Sequence, residues 1–135
     1  MRRVFVDSGG FYAVLVADDA HHSAARSIFE KAASEGWALV TTNAVVFEAH
    51  ALLLKRAGRE VALGFLDMLE EDDYQVERVR SADEIQAVTL IRTHRDKDYS
   101  LCDALSFVVM QRLDLSEAVA FDRHFRQYGC FKLLG

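Results

Sequence analysis

Proline is missing from this 135-residue chain, and so are linkers, internal repeats and low-complexity runs. The length suits one domain able to bury a real core, so a single domain over residues 1–135 is expected. Only two cysteines occur, Cys102 and Cys130, far apart and one of them within an apolar helical pattern. Buried free thiols are expected there, not a disulfide or a zinc site. No apolar run reaches the length of a membrane span, and the start lacks the basic, apolar and small-residue regions of a signal peptide. Met1-Arg2-Arg3 leads at once into a strand, the reading of an unprocessed cytoplasmic chain. Basic charge is short as well: 16 Lys and Arg face 21 Asp and Glu, a net charge of −5. That excludes broad electrostatic wrapping of nucleic acid. It leaves room for an enzyme that meets nucleic acid at one cation-filled site, because a bound cation reverses the local sign.

What is present is ordinary globular composition, 51% hydrophobic and 27% charged. Val4-Phe5-Val6 reads as a strand buried on both faces, and it stops at Asp7. Ser8-Gly9-Gly10 then turns into a short apolar helix over Phe11–Ala17. The pattern predicts helices over Ser23–Glu35, Ala44–Ala57, Arg59–Asp73, Ile85–His94 and Leu101–Leu113. It predicts strands over Trp37–Thr41, Tyr74–Arg80 (near an edge, since Glu77 and Arg78 interrupt it), Glu117–Phe121 and Phe131–Leu134. Arg123–Gly129 reads as a turn. Gly36 and Gly58 sit where C-caps want glycine, and Ser81-Ala82-Asp83-Glu84 has the form of a capping box. Strands alternating with helices imply an α/β fold: a three-layer α/β/α sandwich on a mainly parallel sheet of four or five strands.

Four acids fall where acids are costly. Asp7 and Asp122 end apolar strands, and an acid at the carboxyl end of a central strand sits where open α/β sheets place ligands. Glu48 and Asp103 lie near the starts of helices with little polar face. An unpaired buried carboxylate needs a partner, a proton or a metal. Two carboxylates about 4 Å apart repel by roughly 4 kcal/mol at an effective dielectric of 20. A divalent ion removes that repulsion, and all-oxygen ligation suits Mg²⁺ or Mn²⁺ over zinc. Each acid also has a plainer reading: Asp7 as a helix cap, Glu48 as a surface residue, Asp103 in the Ser100-x-x-Asp103 capping box, Asp122 as the opening of a turn.

Taken together, Asp7 after its strand, Asn43-Ala-Val-Val-Phe-Glu48, Ser100-Leu-Cys-Asp-Ala104 and Ala120-Phe-Asp-Arg-His-Phe125 resemble the PIN-domain nucleases, and within them the VapC-type toxins of toxin–antitoxin pairs. The resemblance spans the chain. It implies a PIN-like fold and a metal-dependent ribonuclease whose acidic quartet is Asp7, Glu48, Asp103 and Asp122, with Mg²⁺ or Mn²⁺ as cofactor. Asp7, Asp103 and Asp122 would hold a primary ion, and Glu48 a second ion or the attacking water, giving a 5′-phosphate product. It also implies an RNA substrate, a protein antitoxin over the site and a homodimer. The apolar helix faces between Ala44 and Leu69 are the candidate docking surfaces. Ala120 stands where many members carry Thr or Ser.

Other polar residues have lesser roles. Asp96 and Asp98 read as loop-ordering residues near the site, and Arg123 and His124 as phosphate contacts or turn residues. Asp18, Asp19, His21 and His22 read as a helix-entry turn, His50 as a satisfied core histidine, Thr42 or Asn43 as a cap. Two other functions compete: a catalytically inactive PIN-like module that only binds a protein partner, and a haloacid-dehalogenase-like phosphatase. The latter wants a second Asp two residues after the first, where Gly9 stands. Gly9-Gly10 also lacks the spaced glycines of dinucleotide binding.

Overall fold

Val4, Phe5 and Val6 are fully buried in strand β1 (Arg3–Val6), the middle strand of the sheet. Each such side chain contributes about 1.5–3 kcal/mol of burial, so this run fixes the centre of the core. A computed structural model describes residues 1–135. In chain order the elements are β1, α1 (Ser8–Leu15), α2 (His22–Glu35), β2 (Ala38–Thr42), α3 (Asn43–Ala57), α4 (Arg59–Met68), β3 (Tyr74–Glu77), α5 (Ser81–Thr93), α6 (Leu101–Arg112), β4 (Glu117–Val119), α7 (Arg123–Tyr128) and β5 (Lys132–Leu134).

The five strands run in the order β3-β2-β1-β4-β5, all parallel, with β3 at an edge as its interrupted pattern implies. Val4 pairs with Leu39 on one side of β1, and Phe5 with Ala118 on the other. Helices cover both faces, as the α/β/α reading expects: α1 packs on α2, α3 and α4, while α5 packs on α6. The carboxyl ends of β1 and β4, neighbours in the sheet, therefore open onto one rim.

Local chemistry sets the element ends. Gly36 closes α2 in the left-handed conformation (φ 68°) that glycine adopts without penalty. Gly10 is required by contact instead: a Cβ there would lie 2.9 Å from the Val119 carbonyl oxygen and 3.1 Å from Val6 Cγ1. Its absence lets α1 lie directly on β1 and β4.

Several boundaries correct the sequence reading. Trp37 precedes β2, α4 ends at Met68, β3 at Glu77 and β4 at Val119. The expected turn after Asp122 is a helix, α7. Asp122 caps it, Phe125 is fully buried in the core, and Tyr128 stacks on Phe107 with centroids 4.2 Å apart. Ser81 does not cap α5. The Arg80 amide donates to Asp83 Oδ2 at 2.9 Å, moving the cap back by one residue. Of the two free thiols, Cys102 is half-buried but Cys130 is exposed, against the expectation that both are buried.

Candidate functional site

Asp7 has the extended backbone of an N-cap (φ −84°, ψ 166°), yet its carboxylate makes no capping hydrogen bond. Its carbonyl instead accepts from the Gly10 and Phe11 amides. The residue is 2% exposed. Burial is the first force pushing its carboxyl well above the usual carboxylate range, and the charge of Asp122 is the second. The Ser8 amide pulls the other way, and Asp103 and Glu48 add further repulsion. The charges of Asp122, Asp103 and Glu48 thus all reach Asp7 at the rim where β1 ends.

Asp103 opens α6 in a reciprocal capping box. Its amide donates to Ser100 Oγ at 3.0 Å, and the Ser100 amide donates to Asp103 Oδ2 at 3.1 Å. His124 Nδ1 donates to that same Oδ2 at 2.8 Å. Asp122 Oδ1 accepts from the His124 amide at 2.7 Å and the Phe125 amide at 3.3 Å. One ligand atom from each of Asp103, Asp122 and His124 falls within 4.8 Å of the others. The capping reading of Asp103 and Asp122 is therefore true, and so is their convergence.

Asp7 and Glu48 lie outside that close group, so the expected meeting of all four acids is only partly seen; Glu48 projects from the second turn of α3 and is exposed. Ser8 Oγ donates to its Oε1 at 2.6 Å, tying α3 to the first turn of α1. Cys102 is a neighbour that sequence reasoning assigned only to the core. Burial, then Glu48, Asp7 and Asp103, push its thiol up, which keeps it protonated among the acids.

The donor set fits a divalent cation. No lysine or arginine forms a salt bridge with any of the four acids. Asp103, Asp122 and Glu48 each commit one oxygen to the protein and leave Oδ1, Oδ2 and Oε2 without a hydrogen-bond partner in the chain. Those free oxygens, beside a buried Asp7 with raised affinity for a proton, are hard donors in need of positive charge. The surface cavities, of about 370, 310 and 190 Å³, include none of the four acids.

The pattern that defines the PIN domain matches residues 4–129. The chain belongs to the PIN-domain family. Among curated proteins it is similar to the 23S rRNA-specific endonuclease VapC20 of Mycobacterium tuberculosis, 32% identical over 126 residues, 93% of this chain and 94% of that one. A crystal structure of M. tuberculosis VapC20, described as a sarcin–ricin loop cleaving toxin, superposes with a TM-score of 0.87 at 31% identity, over 96% of this chain and 97% of that chain. Two more distant structures share the fold. VapBC2 of Rickettsia felis bound to a promoter DNA fragment gives a TM-score of 0.71 at 10% identity, over 97% of this chain and 96% of that one. FitAcB of Neisseria gonorrhoeae gives 0.69 at 11% identity, over 98% and 96%. The VapC-type resemblance read from the motifs is thus shown.

The lesser residues of this PIN domain sort as follows. Thr42 caps α3 by accepting from the Val45 amide at 3.1 Å, while Asn43 Oδ1 accepts from the Val79 amide at 2.9 Å and ties α3 to the chain after β3. Asp19 Oδ2 accepts from the His21 amide, so the helix-entry reading of that stretch holds. Asp96 and Asp98 are exposed, and Asp96 pairs with Lys97 at 2.9 Å, not with the quartet. His50 is half-buried and makes no side-chain hydrogen bond within the chain, so it is not the satisfied core histidine expected. His124 proves more central than its sequence signal, which was only its place after Asp122. No helix is long and apolar enough to cross a membrane.

Proposed function

We propose that this chain is a Mg²⁺- or Mn²⁺-dependent endoribonuclease, the toxin of a toxin–antitoxin pair. The observation that carries the reading is Asp7: a carboxylate 2% exposed, repelled by the charges of Asp122, Asp103 and Glu48, with no salt bridge to neutralise it. Asp7, Asp103 and Asp122 would hold the primary ion, with Glu48 at its open side. Such an ion, when bound, supplies a more acidic water and counter-charge for the phosphoryl oxygens.

The chain's own residues do the remainder. The Ser100 amide and His124 Nδ1 hold Asp103 Oδ2, so Oδ1 is aimed by the α6 cap. The α7 amides fix Asp122 in the same way. Ser8 holds Glu48 by one oxygen and leaves Oε2 free to accept a proton from the attacking water. The similarity to VapC20 supports ribosomal RNA as the substrate class.

A cognate antitoxin and a second copy of the chain are the proposed partners. Both readings draw on the exposed apolar side chains of Phe47, Leu54, Leu63 and Leu66 on α3 and α4. The deciding experiment is cleavage of purified ribosomal RNA with Mn²⁺, with chelator, and with Asp7→Asn. Cleavage by the wild type, lost with chelator and absent in a folded Asp7→Asn, supports the reading. A folded variant that cleaves like the wild type sinks it.

A further inference from the structure

His21 and Phe121 stack with centroids 4.6 Å apart and planes only 10° from parallel. They come from opposite ends of the chain. Phe121 is half-buried and directly precedes Asp122, so its backbone is one residue from the acidic cluster. The ring is backed by Gly135, which lies so close that a Cβ there would overlap the ring edge. His21 is exposed, its ring nitrogens make no hydrogen bond in the chain, and Phe121 is the one aromatic ring stacked on it.

The loop that carries His21 is tied by its own hydrogen bonds. Its amide donates to Asp19 Oδ2 at 2.9 Å, the Asp19 amide to the Val16 carbonyl at 3.0 Å, and the His22 amide to the Asp19 carbonyl at 3.1 Å. His22 itself turns inward, with Nδ1 2.8 Å from the Ala13 carbonyl. Beyond Phe121, Arg123 and Arg126 lie three apart on α7, exposed and without a carboxylate partner, on a chain whose net charge is −5. A partly exposed aromatic pair followed within a few residues by unpaired guanidinium groups has the chemistry that binds unpaired nucleotides: a ring takes a base by stacking and cations take phosphates.

We propose that the His21–Phe121 stack is a nucleobase subsite, holding one unpaired base of the RNA next to the acidic cluster. This rests on the ribonuclease reading and adds a substrate-positioning element that lies outside the quartet. Stacking tolerates any base, so the subsite orders the strand without reading its sequence. A ring pair that merely closes the loop is the competing explanation.

The test uses the full chain in EDTA with a short single-stranded oligoribonucleotide carrying 2-aminopurine, whose fluorescence is quenched by stacking. The wild type should quench the probe. His21→Ala should lose most of the quenching and bind about tenfold more weakly, and His21→Phe should keep both. Absence of quenching by the wild type overturns the subsite. So does a His21→Ala variant that quenches and binds like the wild type, whether or not its melting temperature falls. Cleavage of ribosomal RNA with Mn²⁺, measured in parallel, reports on the ribonuclease reading separately.

Discussion

Ser8 Oγ and Glu48 Oε1 are joined by a 2.6 Å hydrogen bond, the one side-chain hydrogen bond between the helix that follows Asp7 and the helix that carries the quartet's only glutamate. Without it, an exposed Glu48 has several rotamers to choose from. Ser8→Ala should therefore lower the single-turnover rate of RNA cleavage at saturating Mn²⁺ by about tenfold, equivalent to ~1.4 kcal/mol of barrier. The melting temperature in EDTA should barely move. An unchanged rate would show that Glu48 is placed by something other than Ser8.

Asp7 makes the metal-free protein sensitive to pH. Its carboxyl is raised in the folded state, first by burial and then by Asp122. The folded form therefore holds the proton more tightly than the unfolded form. Stability from this group is greatest below the unfolded value of 3.8 and is lost as pH rises through the folded one. Asp7→Asn removes the loss. In EDTA at neutral pH the variant should melt higher than the wild type, by roughly 3–5 °C for each kcal/mol recovered at this size. The gap should close on acidification. Calorimetry between pH 4 and 8 measures both.

Cation binding should reverse that penalty. Ligands must be deprotonated to bind metal, so Mn²⁺ stabilises the wild type more at neutral than at acid pH. At a hundredfold excess over its dissociation constant the ion should add about 2.7 kcal/mol. Asp7→Asn and Asp122→Asn should lose most of this gain, which a thermal melt with and without Mn²⁺ reads directly.

Away from the rim, Arg112 holds a buried ionic centre. Its Nε and Nη2 donate to Asp83 at 2.9 and 2.8 Å, and its Nη1 to Glu77 at 2.7 Å. Burial pushes Asp83 up, but the Arg112 hydrogen bonds and the Arg80 amide outweigh it and hold the carboxyl below its usual range. This stabilisation is complete above the unfolded value of 3.8 and fades as pH falls through the folded one, the opposite of Asp7. Arg112→Ala strands Asp83 without a counter-charge and should cost about 3–5 kcal/mol in urea denaturation at neutral pH.

Sequence alone carried the strand order of chemistry well because strands and acids are local signals. Val4-Phe5-Val6 before Asp7, Gly36 after α2 and the Ser100-x-x-Asp103 box each depend on residues within one turn. What it could not carry was set by distant partners. Asp83, not Glu84, closes the box at α5 because Arg112, 29 positions on, fixes its carboxylate. Arg123–Tyr128 has too few apolar residues to show a helical period, and folds as one because Phe125 and Tyr128 find Phe107 across the core. His124 was legible only as the neighbour of Asp122; its bond to Asp103 spans 21 positions. The four acids could be paired by motif, but not that each of three keeps a single oxygen free.

The pairing of Phe5 with Ala118 has a consequence for the time at which the protein becomes active. Two of the quartet, Asp7 and Asp122, are brought to the same rim only when β4, near the chain's far end, docks against the first strand made. During synthesis Asp7 emerges at the outset and waits for β4, so a nascent chain that stops short of Glu117 holds no complete acidic rim. The rim is thus completed late in synthesis, once the segment from Glu117 to Asp122 has left the exit tunnel and docked.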